Sequence, residues 1–278
     1  EVLPLIDIRD LSFPIELPDV RKHDINKTLF YRSVPVALKK LEELLKEQPQ
    51  HGDSDPFINV IGYSHLDTCW EWTYNTSHYK FANTAATMLH LIENPPSELS
   101  PQWRYLATSA QHYRWCEKDD PELFERIIEE AKKGRWEIDG VSWVEPDTNL
   151  PCGESIVRQI LYGILFFNKL GFKQTTFFVP DCFGFSPALP QILKLAGIKN
   201  FVTSKISWNE YNDFPYSTFN WRGIDGSSIT AHFITTPCQW AGQASTYTGV
   251  ASARELVGTY TQYKQKIIPE VALHTAGN

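Results

Sequence analysis

His65 and Asp67 stand two residues apart in FINVIGYSHLDTCWEW, Phe57 to Trp72. In extended chain that spacing turns both side chains the same way, so an imidazole and a carboxylate can reach one metal ion. Asp181, in PDCFGFSPALP (Pro180 to Pro190), directly follows a second apolar run. Two carboxylates and an imidazole suit Zn2+ or a similar divalent ion, with a coordination position left over. A carboxylate that binds a metal through one oxygen keeps the other free. Set against an anomeric carbon, that oxygen can act as a nucleophile and form a glycosyl ester. The plainer alternative is that Asp67 and Asp181 cap the helices after their loops.

The surrounding pattern supplies the elements that would position these groups. Ile58, Val60 and Ile61 read as a buried strand ending at Gly62, with His65, Asp67 and Trp70 just beyond it. Strands are expected at Arg104–Gln111, Trp136–Ile138, Thr175–Val179, Asn200–Lys205 and Val271–Gly277. Helices are expected at Pro121–Lys133, Gly153–Leu170, Pro187–Ile198 and Ala253–Ile267, the first capped by Asp120 and closed by Gly134. TFNWRG and SSITAHF flank Asp225-Gly226, a hairpin signal. The fold class is therefore α/β: a mostly parallel sheet or distorted (β/α) barrel covered by helices, with one β-hairpin. Functional groups in such folds collect beyond the carboxyl ends of the strands. Residues 1–55 read as a leader with one amphipathic helix, Ser33–Gln48, apolar at Val36, Leu38, Leu41, Leu44 and Leu45. The main domain is expected to span 56–278.

Bulk composition narrows the partners. The chain has 278 residues, 42% hydrophobic and 21% charged, as ordered globular proteins do. A formal charge of −7 argues against nucleic acid or an anionic membrane as partner. No apolar run approaches the ~20 residues that span a bilayer. Nine Trp and 13% aromatics offer flat faces for stacking on sugar rings. Cys69, Cys116, Cys152, Cys182 and Cys238 are scattered and form no CxxC, which fits reduced thiols and a cytoplasmic location.

HLDTCW, WVEPDTNLPCGES, IVRQILYG, PDCFGFSPALPQILKLAGI, KISWNEYNDFPYSTFNWRGIDGS and AHF occur in this order. Together they resemble the N-terminal catalytic domain of class II α-mannosidases, glycoside hydrolase family 38, in its cytosolic/vacuolar and bacterial branch. The resemblance covers Phe57 to the C-terminus. It implies a retaining, metal-dependent α-mannosidase that removes non-reducing terminal mannose from glycans, with Zn2+ or Co2+ as cofactor. It further implies that His65, Asp67 and Asp181 are metal ligands and that Asp181 is also the nucleophile. Trp70 and Phe183 match aromatics that flank the bound sugar. Mannose has an axial 2-hydroxyl and hence a cis-2,3-diol, which one metal ion can grip with both oxygens.

Some of the family pattern finds no match. The fourth metal ligand, the acid/base carboxyl and the later helical and β domains, through which homo-oligomers would form, are expected beyond Asn278. His232 and His274 are in-chain substitutes for the histidine, and both read better as structural. Cys69 stands where the family has Ala or Gly, and a small buried side chain is expected. Gln111 and His112 read as structural, while Trp143, Glu145, Lys205, Trp208 and Asn209 are candidate substrate contacts. Two competing functions are another metallohydrolase, such as a polysaccharide deacetylase, and a catalytically incomplete fragment that binds mannose or metal.

Overall fold

The computed structural model describes residues 27–46, 58–96, 103–239, 244–266 and 272–276, with 27–31, 45 and 272–276 by backbone alone. The chain divides into two compact units, 1–55 and 56–278. In the first, α1 spans Lys27–Lys46, starting earlier than expected. Ser33-Val34-Pro35 imitates a cap with a first-turn proline, but the helix runs through Pro35. The expected helix end at Gln48 and the linker that follows lie outside the described residues.

In the second unit, strands β1 (Ile58–Tyr63), β2 (Tyr105–Ala107), β3 (Trp136–Ile138), β4 (Thr176–Phe178), β5 (Asn200–Thr203), β6 (Thr218–Arg222), β7 (Ser228–Phe233) and β8 (Ala272–Ala276) alternate with helices. The helices are α2 (Tyr74–Glu93), α3 (Ala110–Asp119), α4 (Pro121–Lys132), α5 (Gly153–Lys169), α6 (Leu189–Leu195) and α7 (Ala253–Gln262). Pairing gives the orders β8-β1-β2-β3 and β4-β5-β7-β6, parallel except for the β6–β7 hairpin. A parallel bridge between Gly140 and Phe177 joins the two runs beside β3 and β4.

The joined sheet is rolled. β1 and β4 are three strand positions apart, which in a flat sheet is roughly 14 Å, yet the Tyr63 and Phe178 rings lie 5.1 Å apart. Tyr63, Leu106, Phe178 and Ile234 share one apolar cluster with Val202 and Tyr247, the interior of a distorted barrel. Outside it, α2, α3 and α4 pack Leu89, Tyr113 and Ile127 against Trp136. Ile160 of α5 and Leu189 and Leu193 of α6 cover Phe177 and Phe201. The α/β expectation holds, hairpin included.

Local chemistry explains most boundaries. Asp120 Oδ1 accepts from Leu123 N at 3.0 Å, Pro121 opens α4, and Gly134 follows it at φ +73°. Asp225 Oδ1 accepts from Ser227 N at 2.9 Å and closes the hairpin. Two expectations need correction. The strand expected to reach Gln111 stops at Ala107, and Ser109 turns the chain at φ +67° into α3. β1 is fully buried only at Gly62 and Tyr63, while Ile61 is half-buried against the interior cluster and Val60 is exposed.

One close approach matters for the site. A Cβ on Gly163 of α5 would lie 1.7 Å from Val141 O. Trp143 N also donates to Gln159 O of α5 at 2.9 Å. The helix therefore lies backbone to backbone on residues 141–143, which lead to Glu145. Val141 itself is fully buried at φ +54°, strained for a β-branched residue.

Candidate metal centre

Parallel strands leave their carboxyl ends on one rim, and the loops after β1, β3, β4 and β5 all contribute here. After β4, Thr203 Oγ1 donates to Val179 O and Ser204 Oγ to Pro180 O, both at 2.8 Å. These bonds fix the backbone entering Asp181. Glu145, from the loop after β3, accepts from Asp181 N at 2.8 Å through Oε1.

His65 Nε2 lies 3.4 Å from Asp67 Oδ1 and 3.9 Å from Asp181 Oδ2. One donor atom from each of the three residues falls within 4.8 Å of the others. Among the described residues no other group of His, Cys, Asp or Glu meets this way. Donors bound to zinc at roughly 2.0–2.1 Å stand roughly 3.3–3.4 Å apart when tetrahedral. His65 Nε2 is buried and makes no well-aligned hydrogen bond. A buried imidazole nitrogen left open between two carboxylates is the geometry a divalent cation completes, so the residues fit such a group. Neither aspartate caps a helix: Thr73 caps α2 and Ala188 precedes α6.

The site is short of positive charge. Burial pulls the His65 pKa down, but contact with Asp67 and the charges of Glu145, Asp67 and Asp181 outweigh it and leave it above the ordinary value. His65 in turn holds the Asp67 carboxyl below its usual range. Burial pushes Glu145 up to about 7 against the opposing pull of His65 and the Asp181 N–H. The nearby cation is Lys205, whose Nζ is 2.9 Å from Asp181 Oδ1. Asp181 thus turns Oδ2 to His65 and Oδ1 to Lys205. Burial and then the Asp181 charge raise the Tyr247 hydroxyl, and its ring lies 4.8 Å from His65.

Phe183 is exposed and lines a cleft of about 190 Å³ with Asp67, Cys69, Glu145, Asp147 and Asp181. Trp70 is exposed in the His65 loop, its ring 5.5 Å from that of Trp72, and it is not part of the cleft wall. Cys69 is exposed, not buried as expected, because its loop runs along the cleft mouth. Trp143 is half-buried, its Nε1 donating to Gln111 Oε1 at 2.9 Å and its ring packed on Phe166. Trp208 Nε1 donates to Ser245 O at 2.7 Å, and Asn209 Oδ1 caps the turn at Tyr211 and Asn212. His112 is buried against Phe81, and His232 shares a 2.8 Å hydrogen bond with Thr218 away from the cluster. The His274 side chain lies outside the described residues.

Sequence reasoning missed Tyr63, whose hydroxyl is 2.8 Å from His65 Nδ1. Its place as the last residue of β1 was the available signal. It also missed Tyr247, which carries no local signal because only the rolled sheet brings it near. A larger cavity of about 330 Å³ lies along Asn209–Phe214 and Phe233–Thr235, without a metal-ligating cluster.

A rolled parallel sheet with acid and imidazole donors at its carboxyl rim places the protein among α/β folds that act at that rim. Residues 56–278 match the N-terminal domain of glycosyl hydrolases family 38, and the chain belongs to that family. It is 41% identical over 225 residues to Alpha-mannosidase G of Dictyostelium discoideum, covering 80% of this chain and 20% of that protein. With Alpha-mannosidase 2C1 of Homo sapiens it shares 41% identity over 186 residues, 66% of this chain and 17% of the relative. A solved alpha-mannosidase from Enterococcus faecalis V583 matches with a TM-score of 0.61 at 22% identity, over 80% of this chain and 25% of that one, which shows the common fold. The chain thus spans about a fifth of the length of the curated relatives it matches. Among the described residues no helix is long and apolar enough to cross a membrane.

Proposed function

We propose that this chain carries the metal and nucleophile half of a retaining α-mannosidase acting on non-reducing terminal mannose of glycans. The observation that carries the reading is the convergence of His65, Asp67 and Asp181 within 4.8 Å beside the exposed Phe183. Their donor set favours Zn2+, with Co2+ a close alternative. When bound, such an ion would supply Lewis acidity and a grip on the cis-2,3-diol of mannose.

The chain's own groups supply the nucleophilic chemistry. Asp181 forms a bond from one carboxylate oxygen to the anomeric carbon as the bond to the aglycone oxygen breaks. The departing oxygen takes the electron pair, and a glycosyl ester remains on Asp181. Water then attacks that carbon, which returns Asp181 to a free carboxylate with the anomeric configuration retained, and the proton that water gives up balances the one taken by the departed aglycone oxygen. Lys205, 2.9 Å from Asp181 Oδ1, orients that oxygen. Phe183 offers a flat face beside the cleft for the sugar ring. Identity near 40% to the yeast and human 2C1 relatives, against 26% to Alpha-mannosidase 2 of Mus musculus, supports placing the chain in the branch of the former pair.

The test is turnover of an aryl α-mannoside with and without Zn2+ or Co2+, beside Asp181→Ala. An activated aryl group needs little acid assistance, so loss of the nucleophile is seen directly. Metal-dependent release of α-mannose that vanishes in Asp181→Ala supports the reading. Turnover that survives this substitution, or release of acetate from acetylated glycans instead, overturns it.

A further inference from the structure

We infer that Glu145 is a positioning residue that sets the imidazole of His65 and the backbone of Asp181 for metal binding, an inference that rests on the metal-centre reading above. The geometry is specific. Oε1 of Glu145 accepts from Asp181 N at 2.8 Å, and Oε2 lies 3.3 Å from His65 Nδ1. One side chain from the loop after β3 thus spans the loops after β1 and β4, the two that bring the donor atoms.

A carboxylate at this position sets the tautomer of His65. For Nε2 of His65 to offer its lone pair toward Asp67 and Asp181, the ring proton must sit on Nδ1. Tyr63 OH is 2.8 Å from Nδ1, but a phenol both donates and accepts, so it fits either tautomer. A carboxylate only accepts. Glu145 therefore selects the Nδ1–H form and leaves Nε2 free, which agrees with the unsatisfied buried Nε2. Its own loop is held by α5: Trp143 N donates to Gln159 O and Val144 N to Gln159 Oε1, each at 2.9 Å.

Glu145→Gln separates positioning from shape. The amide keeps the volume but has one accepting oxygen where the carboxylate has two. Turned to satisfy Asp181 N, it presents an N–H to the imidazole and favours the wrong tautomer. The experiment measures zinc affinity by competition with a chelating dye, and the ring tautomer by 15N NMR of the metal-free protein at pH 8. The expected result is a 10- to 100-fold loss of zinc affinity and a shift of His65 from Nδ1–H toward Nε2–H. Glu145→Asp, which keeps two accepting oxygens on a shorter arm, is expected to lose less and covers poor folding of the amide variant. Zinc affinity unchanged within twofold in both variants, or an unchanged tautomer, overturns the inference. His65→Ala is the separate control: if it too binds zinc like the parent, the metal-centre reading has failed, not the role of Glu145.

Discussion

The ammonium of Lys205 stands 2.9 Å from Asp181 Oδ1 and 4.0 Å from the centre of the Trp208 ring. The indole is anchored by its bond to Ser245 O, so the lysine is pinned against the carboxylate oxygen turned away from His65. Lys205→Met is expected to lower kcat about 100-fold with little change in KM. Lys205→Arg should recover part of the loss. Steady-state kinetics on an aryl α-mannoside decides, and an unaltered kcat would remove Lys205 from the chemistry.

The proposed ligand set of His65, Asp67 and Asp181 comes together only in the folded protein, so a metal bound there would stabilise it. At a free zinc concentration 100 times its dissociation constant, unfolding should become harder by about 2.7 kcal/mol. Thermal melting with and without zinc reads this as a rise in Tm. His65→Ala and Asp67→Asn should abolish the rise.

Gly163→Ala places a methyl group against the Val141 carbonyl oxygen and the backbone of Ser142. Neither neighbour is the end of a flexible side chain, so helix or loop must shift. The expected cost is about 3 kcal/mol, seen as a lower urea midpoint with an unchanged slope. Because the displaced segment leads to Glu145, activity per folded molecule should fall as well. A variant as stable as the parent would contradict the packing described.

Burial holds the His232 imidazole at about 4, well below the ordinary 6.5. Its neighbours are Thr218 and the ring of Tyr263, whose hydroxyl also bonds Thr218. Between these two pKa values the unfolded chain takes up a proton that the folded one refuses. Stability is therefore full above about pH 6.5 and declines as pH falls toward 4, by about 3 kcal/mol from this group. Urea titrations at pH 7 and 4.5 should show a smaller difference in His232→Gln than in the parent.

Much of this was legible in sequence, and the failures have physical reasons. α4 was readable to within a residue because Asp120, Pro121 and Gly134 mark its ends by local chemistry. His65, Asp67 and Asp181 were readable because each follows an apolar strand, and parallel strands send such loops to one rim. α3 was hidden: its buried face includes His112 and Cys116 as well as Tyr113 and Trp115, so apolar periodicity is faint. Glu145 and Lys205 were visible as polar residues near the site, but not that they stand behind His65 and Asp181. That arrangement depends on strand order and on the roll of the sheet, which no local window contains.

The contact of Tyr63 with Phe178 also bears on how the molecule is made. β1 gains the Phe178 ring as neighbour only after β4 has left the ribosome, and Ile234 arrives later still. Such distant pairings slow folding and leave early apolar segments unsheltered during synthesis. Nascent chains halted before β4 should therefore be held by chaperones, and those halted after Ile234 much less so.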